Sequence, residues 1–148
     1  MTDAGEEFEL FLGLILAKLY ERRAERPTLT PEDFGLGPPR ADPDQRHERW
    51  GNAMQWLHEE GYLRCKIPVH VSPQAPGFHD VVLSEKGLRV LNSLPTSLAL
   101  GGDKRSLALR LVEAAKQAGS KAAINLAQKG AEHGATQLVE LVRGWLSD

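Results

Sequence analysis

The hydrophobic period of this chain changes twice within residues 42–94, and few folds accommodate that change. Trp50, Ala53, Met54 and Leu57 recur at i, i+3, i+4 and i+7, one buried stripe of a helix that Asp42-Pro43 caps and Gly61 ends. From residue 62 the period drops to two. Leu63, Cys65, Ile67, Val69 and Val71 point one way, while Tyr62, Arg64, Lys66, Pro68 and His70 point the other, as in a half-buried strand. Pro68 has no N–H to donate, which assigns that strand to a sheet edge or a bulge. Residues 72–77 (Ser-Pro-Gln-Ala-Pro-Gly) form the tip, residues 78–83 return, and Ser84 caps a short helix that turns Leu88, Leu91 and Leu94 inward before Pro95.

Upstream, the periodicity predicts a helix over residues 5–26. Phe8, Phe11, Leu12, Ile15 and Leu19 lie on one stripe, and Leu10, Leu14 and Leu16 widen it into an arc that needs covering on more than one side. The apolar run follows Asp3, Glu6, Glu7 and Glu9 rather than a basic start. Lys18 ends it well short of the roughly 20 residues a bilayer requires, so neither a signal peptide nor a span is expected. Pro27 stops the helix. Thr30-Pro31-Glu32-Asp33 then predicts a capped short helix ended by Gly35 or Gly37, and residues 37–41 a loop.

Helix, short helix, helix, hairpin and helix therefore follow in order. Glu59-Glu60-Gly61-Tyr62-Leu63 leads into the first strand, and Leu83-Ser84-Glu85-Lys86-Gly87 leads out of the second. This arrangement resembles the winged-helix proteins of the bacterial MarR and PadR type, over roughly residues 8–95. The expected fold class is α+β, mostly α: a winged-helix-like domain over residues 1–95, a linker over 96–102, and Ala/Gly-rich helices over 103–148. The resemblance implies a recognition helix over residues 42–60. On a DNA-binding reading Arg46, Arg49, Asn52 and Gln55 would make contacts from that helix, and Arg64 and Lys66 from the wing.

Charge argues the other way. Residues 1–100 hold 11 Lys and Arg against 15 Asp and Glu, and residues 101–148 hold 7 against 5, so the part resembling a DNA reader is the acidic part. With Trp50, Ala53, Met54 and Leu57 inward, the outward face of the helix carries Glu48, Asn52, Gln55 and Glu59, and the wing tip has no Lys or Arg. Arg22, Arg23 and Arg26 alternate with Glu21 and Glu25, a spacing that predicts ion pairs on a solvated face.

Beyond residue 102 the composition shifts, with 11 of the 22 residues from Ala114 to Ala135 being Ala or Gly. A helix is expected over residues 103–118, a break at Gly119-Ser120, and a second helix over 120–145. That second helix has a heptad seam of Ile124, Ala131, Leu138 and Trp145 with Ala127, Gly134 and Leu141, which predicts an oligomer interface. Lys104, Arg105, Arg110, Lys116, Lys121 and Lys129 beside an apolar stripe give a minor alternative, peripheral membrane association.

Motifs for chemistry are missing. The chain has no phosphate-binding glycine loop, CxxC, HExxH or GxSxG, and its single cysteine, Cys65, allows neither an internal disulfide nor a Cys-rich zinc site. His47 and His58 are about 16 Å apart along one helix and cannot share a metal. They and His79 are expected to be surface or partly buried residues, and Cys65 a buried, inert thiol. The sequence reading is thus a non-enzymatic interaction or assembly protein of the cytoplasm, without cofactor, metal or evident small-molecule substrate. It would self-associate through its terminal helices or bind a protein partner, with a dimeric DNA-binding regulator as the alternative.

Overall fold

A computed structural model describes residues 4–36, 46–66, 77–93, 105–119 and 133–147. The fold is α+β and mostly α. Helix α1 (Ala4–Glu21) leads to a single 3-10 turn (Pro31–Phe34) and helix α2 (Arg46–Glu59). Strands β1 (Leu63–Lys66) and β2 (His79–Leu83) and the short helix α3 (Glu85–Leu91) follow, then α4 (Leu107–Ala118) and α5 (His133–Leu146).

Helix α1 is the centre of the molecule. Every residue from Leu10 to Ala17 is buried, because α2 covers one side of the helix and α4 and α5 cover others. Its wide apolar arc demanded this arrangement, each fully buried Leu, Ile or Phe being worth about 1.5–3 kcal/mol. Helix α5 lies closest at Gly13, where an added Cβ would come within 3.1 Å of Val142 and 3.2 Å of Leu138. The segment 103–148, which the sequence places beyond a linker at 96–102, contributes α4 and α5 to this same core. A bond from the Leu107 N–H to the Ser93 carbonyl (2.8 Å) further ties α4 to the end of α3.

Local chemistry accounts for the element boundaries. Helix α1 ends at Glu21, earlier than residue 26: the Arg23 guanidinium donates to the Tyr20 carbonyl (2.7 Å) and stacks on the Tyr20 ring, and Arg22 pairs with Glu25. The expected short helix is one 3-10 turn, in which the Asp33 carboxylate accepts the Thr30 N–H (2.8 Å) and Gly35, at φ +79°, stops the chain. The cap expected at Asp42 lies outside the described residues. Trp50 lies between Phe34 and Phe78, each 5.7 Å away centroid to centroid, and so locks α2 onto the 3-10 turn and the hairpin.

The antiparallel hairpin pairs Leu63 with Leu83, Arg64 with Val82 and Lys66 with His79, with a bulge between the last two pairs. Asp80 takes up the extra residue at φ +51°, a left-handed conformation that Asp tolerates better than most residues. The part of the first strand expected over 67–71, and the tip, lie outside the described residues. A short bridge not expected from sequence adds to the sheet, with Leu29 and Phe78 exchanging backbone bonds of 2.9 and 3.0 Å. Ser84 caps α3 as its position predicted, accepting the Gly87 N–H at 3.0 Å. Leu91 is buried and Leu88 half-buried, while Leu94 and Pro95 lie outside the described residues. Tyr62 accepts the Ser84 N–H at this junction, and a Cβ on Gly87 would overlap the Tyr62 carbonyl oxygen.

Helix α4, expected from residue 103, begins at Leu107, where Ser106 caps it by accepting the Leu109 N–H, and Gly119 at φ +79° ends it where a break was expected. Helix α5 is described only from His133, and its end falls at Leu146.

Candidate functional site

The outward face of α2 is where the sequence points for function. Helical geometry turns Trp50, Ala53, Met54 and Leu57 into the core and leaves Glu48, Asn52, Gln55 and Glu59 exposed. Two carboxylates therefore flank two amides. The amides can donate and accept hydrogen bonds to a protein backbone or to an adenine edge, whereas the carboxylates oppose phosphate.

Two of the cations expected beside this face, Arg49 and Lys66, have carboxylate partners. Arg49 turns back to α1, where its Nη1 meets Glu7 Oε2 at 2.8 Å. The Glu7 side chain is 4% exposed and that of Arg49 30%, so the pair is buried on the acidic side and reachable by water on the other. Lys66 pairs with Asp80 across the hairpin at 3.2 Å. Lys86, at the start of α3, donates to the Glu60 carbonyl (2.7 Å) and lies 4.4 Å over the Tyr62 ring. Arg46 is half-buried in the first turn of α2. Of the six candidate DNA contacts, Asn52, Gln55 and Arg64 are exposed with no ion pair among the described residues.

The Glu7–Arg49 pair was missed in sequence, although it left a trace. Glu7 is four residues before Phe11 and seven before Leu14, on the apolar arc of α1, and a carboxylate there requires a cation from the element that covers it. Nothing in sequence spacing names Arg49, 42 positions away.

The predicted oligomer seam divides. Leu138, Leu141 and Trp145 are buried within the chain itself, in the α1–α4–α5 core, so these three side chains are not available to a partner. Gly134 lies in the first turn of α5, and Ile124, Ala127 and Ala131 fall outside the described residues. Trp145 joins an aromatic group that also escaped sequence reasoning. Its ring meets Tyr62 and Trp56 edge-on at 5.1 and 6.3 Å, Trp56 stacks on Tyr62 at 5.8 Å, and Phe8 meets Trp56 edge-on at 6.0 Å. Helix α1, the end of α2 with its junction to β1, and helix α5 converge there. Burial, and secondarily the Glu60 carboxylate, pushes the Tyr62 hydroxyl above its ordinary value.

Leu107, Leu111, Ala114 and Ala118 give the apolar stripe of α4 to the core rather than to a lipid surface. No helix among the described residues is long and apolar enough to cross a membrane. Lys104, Lys121 and Lys129, part of the basic set expected beside that stripe, lie outside the described residues.

Cys65 is half-buried rather than fully buried, its Sγ 3.8 Å from His58 Nδ1, and desolvation holds the thiol above its ordinary value. That is the reverse of what activates a nucleophilic cysteine. His47, expected to be a surface or partly buried residue, is buried, and His58 is half-buried. Among the described residues no three His, Cys, Asp or Glu side chains converge on a point where a metal could be held. No protein-family model, no curated protein and no solved structure matches this chain.

Proposed function

We propose that this protein is a non-enzymatic interaction module built on a winged-helix-like scaffold, which presents the outward face of α2 to a protein partner. One observation carries the reading: the face bears exposed Glu48, Asn52, Gln55 and Glu59, while Arg49, which would neutralise phosphate beside it, is held by the buried Glu7, and the exposed Lys66 has Asp80 as a partner. Phosphate contacts supply most of the free energy of non-specific DNA binding, and this face offers few of them. The order of elements and the Leu29–Phe78 bridge beside the hairpin support the winged-helix-like scaffold. The lone Cys65 suits a reducing, cytoplasmic setting. Self-association through the terminal helices has the exposed Leu109 and Leu146 to work with, since Leu138, Leu141 and Trp145 pack within the chain.

The alternative, a dimeric DNA-binding regulator, draws on the exposed Asn52, Gln55 and Arg64. One pair of measurements on the full chain separates the two. Titration of a labelled mixed-sequence duplex at low salt is expected to give no binding, and affinity capture is expected to yield a partner lost with Asn52→Arg and Gln55→Arg but kept with Gln117→Arg. Duplex binding that weakens steeply with salt and is abolished by Arg64→Glu would refute the interaction reading in favour of DNA. Capture identical for all three variants would remove the α2 face from it.

A further inference from the structure

A half-open cleft of about 210 Å3 lies between α1, the 3-10 turn and the end of α4, on a different part of the surface from the α2 face. Its floor is apolar, from Leu14 and Phe34, both buried. Its walls carry two ammonium groups, Lys18 and Lys116, and two carboxylates, Glu21 and Asp33.

The four charges are unequally satisfied. The Asp33 carboxylate already accepts the Thr30 N–H and hydroxyl, at 2.8 and 3.2 Å. Glu21 has Lys116 only at 4.0 Å, the outer limit of an ion pair. Lys18 is half-buried, its Nζ 5.2 Å over the Phe34 ring, and it has no carboxylate within ion-pair distance among the described residues. An ammonium without an anion and a carboxylate with a distant cation thus stand three residues apart on one face of α1, above an apolar floor.

We propose that this cleft binds a small zwitterion with an apolar body, of the class of free aliphatic amino acids. Lys18, with Lys116 at the rim, receives its carboxylate, Glu21 receives its ammonium, and the side chain covers Leu14 and Phe34. The sum of charges decides the class. Two ammonium and two carboxylate groups cancel formally, so a ligand of one sign meets as many repulsive as attractive partners, whereas a zwitterion satisfies both. Size agrees, since 210 Å3 is below the range of roughly 300–1,000 Å3 typical of drug-sized ligands. A half-open site covers so small a ligand only in part, which puts the affinity in the millimolar range. The inference uses nothing from the α2 face and stands or falls apart from the interaction reading.

The test is a titration of the 15N-labelled full chain, followed by amide shifts, with L-leucine and its two half-analogues, 4-methylpentanoate and 3-methylbutylamine. L-leucine is expected to give saturable shifts confined to residues 14–21, 32–35 and 115–119, and each half-analogue to bind roughly tenfold more weakly or worse. Glu21→Gln and Lys18→Gln are each expected to abolish saturation. Lys18 touches Phe34, so its variant is also checked by melting temperature, and the exposed Glu21→Gln carries the test should Lys18→Gln unfold. No saturable shift with L-leucine, shifts lying elsewhere, or equal binding of 4-methylpentanoate would overturn the proposal.

Discussion

Removing the Arg49 cation while leaving its partner tests how the α1–α2 interface is held and whether Arg49 is committed to it. In Arg49→Met the Glu7 carboxylate, 4% exposed, keeps its charge or its desolvation but loses the guanidinium 2.8 Å away. Breaking a fully buried pair costs about 3–5 kcal/mol. Water reaches Arg49, whose side chain is 30% exposed, so screening lowers the expected loss to about 2–3 kcal/mol. For a chain of this length that corresponds to a fall in Tm of roughly 4–12 °C. Removing both charges in Glu7→Leu/Arg49→Met leaves no orphan, and an apolar replacement of similar bulk is expected to unfold within about 1 kcal/mol of wild type.

The control is Arg89→Met, which removes an i,i+4 pair whose side chains are 74% and 90% exposed, and is expected to cost no more than about 0.5 kcal/mol. Urea unfolding at neutral pH, followed by tryptophan fluorescence and by circular dichroism, measures all of these, the three tryptophans giving a strong signal. If Arg49→Met costs no more than Arg89→Met, or if the double variant falls by the sum of its parts, the pair does not hold Arg49. The case against a DNA-binding α2 then loses its main support.

Two further perturbations follow from the same structure. Gly87→Ala drives a methyl into the Tyr62 carbonyl and is expected to cost about 1–3 kcal/mol in urea unfolding, whereas Gly51→Ala in α2, with nothing within 4 Å, is expected to gain up to about 1 kcal/mol. Equal effects would mean that the junction between β1 and α3 is not tightly packed. Because burial raises the Cys65 thiol, the folded state keeps its proton at a pH where the unfolded chain has lost it. The associated stability is complete below the ordinary thiol value of 9.0 and declines as pH rises through the folded value, so Cys65→Ala is expected to flatten that part of the pH profile. A wild-type profile no steeper than that of the variant would contradict this.

Much of the architecture was legible because it is local. The stripe of Trp50, Ala53, Met54 and Leu57 and the alternation from Leu63 to Lys66 each state a period that one element satisfies by itself. Ser84 and Gly119 mark ends by their own backbone chemistry. The candidate face was legible for the same reason, since Glu48, Asn52, Gln55 and Glu59 follow from the stripe opposite them. Errors arose where a neighbour decides the outcome. Helix α1 was expected to run to residue 26, but Arg23 closes it on Tyr20. The seam of Leu138, Leu141 and Trp145 has a heptad period whether its partner is another chain or the same one, and periodicity cannot tell the two apart.

The amino-acid order by itself determined the order and kind of the main helices and of the hairpin and which side of each is apolar, because both depend on neighbours within one or two turns. Only the tertiary structure decided where those apolar sides go: α4 and α5 onto α1 rather than onto a second copy. It also decided which charges remain for a partner. Arg49 reads in sequence as a flanking cation of an exposed face, and turns back onto α1 because Glu7 is buried opposite it with no other cation within ion-pair distance among the described residues.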